Sequence, residues 1–332
     1  MDPSPARRKK WLIAAVKLLV AAAILWWVWG TLADGWAELR TRDGGQWRWQ
    51  PWWLVAAGGI YLLGLMPFGL FWYRLLRALG QEAHLGETLR AYYIGHLGKY
   101  VPGKAMVVVL RAGLIRGHRV DTGVAAVTVF LETLTMMAVG GFAAAAYLAL
   151  LHEEGPFLSW SCAAVVLMLG SLAPTLPPVF RRLVRLFRVG RSNPLIAEKL
   201  GRLGYGTLLT GWLLGLLGWI LLGLSYWATL RAMGVPDLDP IRHLPRYVAG
   251  VSLAVVAGFL LLILPGGVGV REAFLAKLML SYMQPRVAEA NSAAWASAFL
   301  LRLVWTVSEL GISGIMYTVG RRGRQTIRPS GC

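Results

Sequence analysis

The dominant constraint on this chain is a series of apolar stretches, each about 18–28 residues long and almost free of charge. A helix crosses a hydrocarbon core with about 20 consecutive apolar residues. It does so because lipid offers the backbone no hydrogen-bond partners, so the helix must satisfy its own. Charged residues make up 15% of the 332, against about 25% in a soluble globule, and the deficit lies in these stretches. Lipid, not one water-excluding core, is therefore the expected surrounding. Full spans are expected at about 11–33, 51–73, 121–150, 157–179, 207–230 and 293–319. The first follows Arg7-Arg8-Lys9-Lys10 and runs to Ala33. That is longer than the roughly 7–15 apolar residues of a signal peptide, so an uncleaved first helix is expected.

Two further apolar regions, 86–115 and 246–283, are broken by Pro-Gly. The breaks read Gly98-Lys99-Tyr100-Val101-Pro102-Gly103-Lys104 and Pro265-Gly266-Gly267-Val268-Gly269-Val270-Arg271-Glu272. The arms of the first are about 12–13 residues, or about 20 Å as helix, too short to cross. A re-entrant hairpin is the natural shape, with Pro102, Gly103, Pro265, Gly266, Gly267 and Gly269 at the tips. The second pair is longer, and its first arm is long enough to leave a spanning reading open.

The net charge of +18 would suit a nucleic-acid partner, but the basic residues sit between apolar runs, as membrane-flanking charge does. With the N-terminus cytoplasmic and both broken regions re-entrant, 23 of the 34 Lys and Arg fall in cytoplasmic segments, as the positive-inside rule requires. Both termini are then cytoplasmic. Trp26, Trp27, Trp29, Trp36, Trp47, Trp49, Trp52 and Trp53 cluster at the outer interface of the first two spans, the place of an aromatic belt. Residues 181–191 set Arg181, Arg182, Arg185 and Arg188 opposite Leu183, Val184, Leu186 and Phe187. This is a short basic helix for the membrane surface, or a plain basic loop. The two cysteines, Cys162 and Cys332, suggest neither a disulfide framework nor a metal pair.

An internal repeat is visible. Leu76-Arg77-Ala78-Leu79-Gly80 and Leu230-Arg231-Ala232-Met233-Gly234 each end a span. Each is followed by a polar stretch, a Pro-Gly-broken region, and a long span holding a glutamate, Glu132 or Glu309. The first copy starts with a span running inward and the second with one running outward. Inverted repeats with broken helices at their interface are characteristic of secondary transporters. The expected fold is an all-α polytopic membrane protein of about six full spans plus two Pro-Gly-broken re-entrant hairpins in an inverted repeat. Its expected divisions are 1–50 (basic tail, first span, outer loop), 51–150 (first repeat), 151–206 (connecting span and basic interfacial helix), 207–320 (second repeat) and 321–332 (basic tail).

Ionisable groups inside a membrane are costly and so mark function or a structural pair. Glu132, Arg302 and Glu309 lie within spans. Arg302 and Glu309 share a face but stand two turns apart, so each needs a partner elsewhere. The candidates are Lys104 or Arg111 for Glu132, and Arg271 for Glu309. Glu132, Glu272, Arg302 and Glu309 are expected to balance charge or relay protons. Lys99, Lys104, Arg111 and Arg271, beside helix ends freed by the breaks, suit an anionic headgroup. Close helix packing is the simpler role for the glycines. Gly98-x-x-x-x-Gly103-Lys104 approximates a phosphate loop, but Ala105 replaces the magnesium-binding hydroxyl and no strand precedes it. Zinc-hydrolase and serine-elbow motifs do not occur in the sequence.

Leu97-Gly98-Lys99-Tyr100-Val101-Pro102-Gly103-Lys104 with Arg111, and Leu264-Pro265-Gly266-Gly267-Val268-Gly269-Val270-Arg271-Glu272, resemble the two signatures of the lysylphosphatidylglycerol synthase transmembrane region, the flippase-like or UPF0104 family. The resemblance spans about residues 10–320. It implies inverted repeats, re-entrant helices and movement of a lipid between leaflets, here in a stand-alone member without the synthase domain. The expected activity is a flippase or scramblase for a phosphate-bearing lipid, either a phospholipid or a polyprenyl-phosphate-linked one. It would be non-enzymatic, use no cofactor or metal, and sit in the bacterial cytoplasmic membrane. The expected partners are anionic or zwitterionic membrane lipids, with a second copy or a lipid-synthesis enzyme as protein partner. The alternatives are a non-transporting subunit that docks a lipid-modifying enzyme, and an intramembrane enzyme.

Overall fold

The computed structural model describes residues 49–101, 105–115, 119–150, 166, 168–170, 172–186, 201, 203–260, 267 and 269–325. Among these the chain is helical, with no strand. The helices are α1 (Trp52–Ala78), α2 (Leu85–His96), α3 (Ala105–Ile115), α4 (Thr122–Leu150), α5 (Pro177–Leu186), α6 (Tyr205–Ala232), α7 (Leu244–Leu260), α8 (Val270–Met283) and α9 (Ala290–Gln325). A 3-10 turn, Leu97–Tyr100, extends α2, and another, Ala173–Thr175, precedes α5. Four helices, α1, α4, α6 and α9, are long and apolar enough to cross a membrane. They coincide with four of the expected spans. The span expected at 11–33 lies outside the described residues, as does most of that at 157–179. Part of the latter is the 3-10 turn at Pro174, and α5 begins at Pro177, four residues before the basic helix expected at 181. The outward faces of the long helices carry exposed Val55, Leu63, Leu213, Leu217, Val307, Leu310 and Ile315. Glu132, Glu272, Glu309 and Arg111 are buried. Apolar outside with ionic groups inside is the arrangement lipid selects.

The described elements form two sets in the same order: long, short, short, long. The Leu-Arg-Ala-x-Gly segments close the first long helix of each set in the same way. Gly80 and Gly234 take φ of 70° and 77°, a left-handed conformation that costs glycine little. The next residue then donates back across the helix end, Gln81 N to Leu76 O at 3.0 Å and Val235 N to Leu230 O at 3.3 Å. The repeated motif is thus a matched Schellman cap.

Pairwise contacts give the directions of the long helices. Down α1 and up α6, Gln50 N bonds Ala232 O (2.9 Å), Ser225 Oγ bonds Ala57 O (2.8 Å), Gly64 abuts Gly218 and Phe71 abuts Gly211. These two helices are therefore antiparallel, and the sets run in opposite senses. Helix α2 opposes α1 (Tyr93 to Leu62 O, Gly69 against Leu89) and α9 opposes α2 (Arg90 to Met316 O, Ser313 to Tyr93 O, Tyr100 to Thr306), so α9 runs with α1 and opposes α6. Helix α4 opposes α1, with Leu79 and Val124 packed in one cluster and Trp72 bonded to Thr128 (3.0 Å). The pair α2–α3 therefore starts and ends at one side, where α1 ends and α4 begins. The pair α7–α8 starts and ends at the other. The described part of α7 covers 17 residues, and α8 has 14, about 21 Å at 1.5 Å per residue. Helix α8 alone falls short of a hydrocarbon core of about 30 Å. The second broken region thus leaves from and returns to one side, as the first does. Asp239, in the exposed turn before α7, accepts the N–H groups of Ile241 and Arg242 at 2.8 Å each, which holds its carboxyl below the usual range.

Candidate functional site

The hairpins approach from opposite sides and meet at their tips. Lys99, from the first tip, and Gly267 and Arg271, from the second, line one cavity of about 430 Å³. His96, Arg111 and Glu132 add polar lining, and Leu65, Val107, Phe130, Met137, Leu222, Val255 and Phe259 make the apolar walls. The N-terminus of α8, capped by Glu272 at Gly269, lies at the second tip with its partial positive charge. At the first tip Lys99 sits in the last turn of the 3-10 extension of α2. Lys104, Pro102, Gly103, Pro265 and Gly266 lie outside the described residues.

Each half contributes a buried glutamate to this level. In the first, Glu132 on α4 accepts from Arg111 NH1 on α3 at 2.6 Å, and from Tyr92 and Thr133 hydroxyls at 3.3 Å each. Arg111 stacks over the Tyr92 ring, 3.8 Å from its centroid. The aromatic face and the carboxylate together compensate a guanidinium withdrawn from water. Gly95 makes room for this arginine, since a methyl there would fall 2.4 Å from Arg111 Cγ. Of the two sequence candidates for Glu132, Arg111 is the partner.

In the second half the expected pairing is corrected. Glu309 on α9 is held by Lys99, by Tyr61 and by Tyr100 Oη at 2.9 Å, not by Arg271. The reason is register: α9 runs past the first tip and offers Arg302, Thr306 and Glu309 along one face. Thr306 bonds Tyr100 (3.0 Å), so Lys99, one residue away, reaches Glu309. Arg302 instead bonds Glu272 Oε1 at 2.6 Å, while Glu272 Oε2 caps α8 by accepting Gly269 N–H at 2.7 Å. Arg302 and Glu309 are thus partnered separately, as their separation in the sequence requires.

Arg271 makes no ion pair or hydrogen bond among the described residues, and its Nε is buried without a partner. Its stem lies against Gly258 and Gly267, where a methyl would fall 2.5 Å from Cγ and 3.1 Å from Nε respectively. Among the described residues at the hairpin level, the cations Lys99, Arg111, Arg271 and Arg302 stand with the three carboxylates Glu132, Glu272 and Glu309. The Arg271 side chain is half-buried, and a guanidinium partly withdrawn from water is stabilised by an anion that reaches it.

The sequence did not single out His96, Tyr61, Tyr92 or Tyr100. His96 precedes Lys99 by three residues, so helical spacing alone puts both on one face. Its Nε2 lies 3.2 Å from Lys99 Nζ, and its Nδ1 lies 3.2 Å from Arg111 NH2. A continuous polar chain therefore links the halves: Glu309, Lys99, His96, Arg111, Glu132. No signal in the sequence marks Tyr61. It comes from α1, far from either break. Among the described residues no cluster of His, Cys, Asp and Glu could hold a metal ion.

The sequence model of one protein family, described as the lysylphosphatidylglycerol synthase TM region, matches residues 14–311. No curated protein matches the chain.

Proposed function

The chain belongs to the lysylphosphatidylglycerol synthase TM region family, a lipid-related membrane family, and on that premise we propose that it moves a phosphate-bearing lipid between leaflets. The headgroup occupies the cavity between the hairpin tips, and the tails stay in the bilayer against the apolar walls. Arg271 is the principal phosphate contact, aided by Lys99, Arg111 and Lys104. Glu132, Glu272, Arg302 and Glu309 hold the tips and balance charge. The chain acts as a carrier and not as an enzyme. It works from the bacterial cytoplasmic membrane with both termini cytoplasmic, because the basic residues concentrate on that side.

One observation carries this reading: a cavity-lining guanidinium that makes no hydrogen bond or ion pair among the described residues, set among apolar walls. An amphipathic lipid with a phosphate offers both chemistries at once. The test is lipid movement in reconstituted vesicles. Arg271→Ala is expected to slow it by about ten- to a hundredfold, the equivalent of the roughly 1.5–3 kcal/mol of a charge-assisted hydrogen bond. Movement at the unmodified rate in this variant would remove the proposed site.

A further inference from the structure

The polar chain between the two glutamates contains a donor conflict. Neutral imidazole has one N–H and one acceptor nitrogen, while ammonium and guanidinium groups only donate. Yet both ring nitrogens of His96 face such donors, Lys99 at one side and Arg111 at the other, each at 3.2 Å. With both neighbours charged, one ring nitrogen can accept, and the other must point its own N–H at a cation. The surroundings do not resolve this. Tyr92 stacks on the ring from α2 at 6.0 Å, and Arg271 lines the same cavity from α8. Glu132, on α4, is reached only through Arg111. Among the described residues the nearby acceptor is Glu309 Oε1 on α9, 3.7 Å from Nε2 and already occupied by Lys99 and Tyr61, while Tyr100 donates to Oε2.

We infer that His96 is a proton-binding site linked to the cavity's anion: when a phosphate enters, Lys99 leaves Glu309 for it, and His96 takes up one proton and replaces Lys99 as the counter-ion of Glu309. The charges balance. The phosphate adds negative charge and Lys99 pairs with it. The proton comes from water, and His96 Nε2–H then donates to Glu309 across the gap that Lys99 vacates. At Nε2 the ring then meets the Glu309 carboxylate in place of Lys99, and Arg111 at Nδ1 is left as its one adjacent cation among these partners. When the anion leaves, Lys99 returns and the proton is released to water. Uptake from one side and release to the other would couple lipid movement to a proton gradient. This inference rests on the proposed function for its anion, but its test does not require transport.

The test is the protonation state of His96, read by imidazole ¹⁵N resonances of the full chain in nanodiscs at neutral pH and assigned by their loss in His96→Gln. In phosphatidylcholine alone with no added anion, the expected spectrum is neutral imidazole. Anionic phosphatidylglycerol should convert it to imidazolium. Adding inorganic phosphate to phosphatidylcholine discs separates a headgroup site from a general phosphate site, and conversion by either supports the linkage. Lys99→Gln removes the competing cation and should leave His96 charged with or without anionic lipid. A His96 signal unmoved by both anions, or neutral in Lys99→Gln, overturns the inference. Lipid movement that fails while the signal still converts would sink the transport reading and leave this one standing.

Discussion

At the scale of single residues, Arg111 and Glu132 are each other's condition for being inside the protein. Glu132 is 1% exposed and Arg111 2%. Removing one charge of such a pair strands the other, at a cost of about 3–5 kcal/mol, whereas replacing both by apolar groups is often neutral. Glu132→Gln should therefore lower the thermal stability of the purified protein, and Arg111→Met with Glu132→Met should restore most of it. If the pair also serves the cavity, the double variant will be stable and yet slow in lipid movement. Equal stability of the single and double variants would show that the pair is not coupled. Arg271→Ala is the cleaner probe, because no described residue depends on that side chain for a partner. The glutamates were legible in the sequence because a charge within an apolar run has few explanations. Which cation each would meet was only half legible: Arg111 lies in the adjoining arm of its own hairpin, but Lys99 reaches Glu309 from the other half of the chain. The tyrosines carried no signal, since an aromatic residue in a span is ordinary.

At the scale of elements, the two halves are joined by the crossing of α1 and α6. Gly64 and Gly218 sit sixteen residues before Gly80 and Gly234 respectively, so the crossing brings equivalent positions together. A methyl at Gly218 would fall 2.5 Å from the Phe68 ring and 3.1 Å from Gly64 O. Small residues let backbones approach this closely in membranes. Gly218→Ala should destabilise by about 1–3 kcal/mol, the usual cost of overpacking, read as a lower unfolding temperature in detergent. Gly59→Ala on α1 meets open space and should change little. A similar loss in both would mean that helix propensity, not the crossing, decides. The breaks themselves were legible because Pro-Gly interrupts an apolar run in a way no span tolerates cheaply. The status of the second hairpin was not, since the expected region 246–283 is long enough on paper for a span. The opposed directions of α6 and α9 show that α7 and α8 return to their starting side, an outcome that a short hairpin and a pair of full spans share.

At the scale of the whole molecule, the account depends on inversion. Two sets of helices with matched caps run antiparallel, their hairpins enter from opposite sides, and the tips enclose a cavity that is cationic at its polar end and apolar along its walls. The sequence carried the order of elements and the repeated cap. It could not carry the shape of the cavity, because the wall comes from α1, α3, α4, α6 and α7 together. An inverted design is what allows one site to be met from both leaflets. The most direct measurement places the hairpin mouths on the two faces of a real membrane. Glu87, at the start of α2, and Arg242, before α7, are both exposed. In sealed, oriented vesicles, with Cys162 and Cys332 replaced by serine, Glu87→Cys and Arg242→Cys are treated with a membrane-impermeant thiol reagent. The expected result is labelling of Arg242→Cys only from the outer face and of Glu87→Cys only from the cytoplasmic face. Labelling of both variants from the same face would contradict the inverted arrangement, and the shared site would go with it.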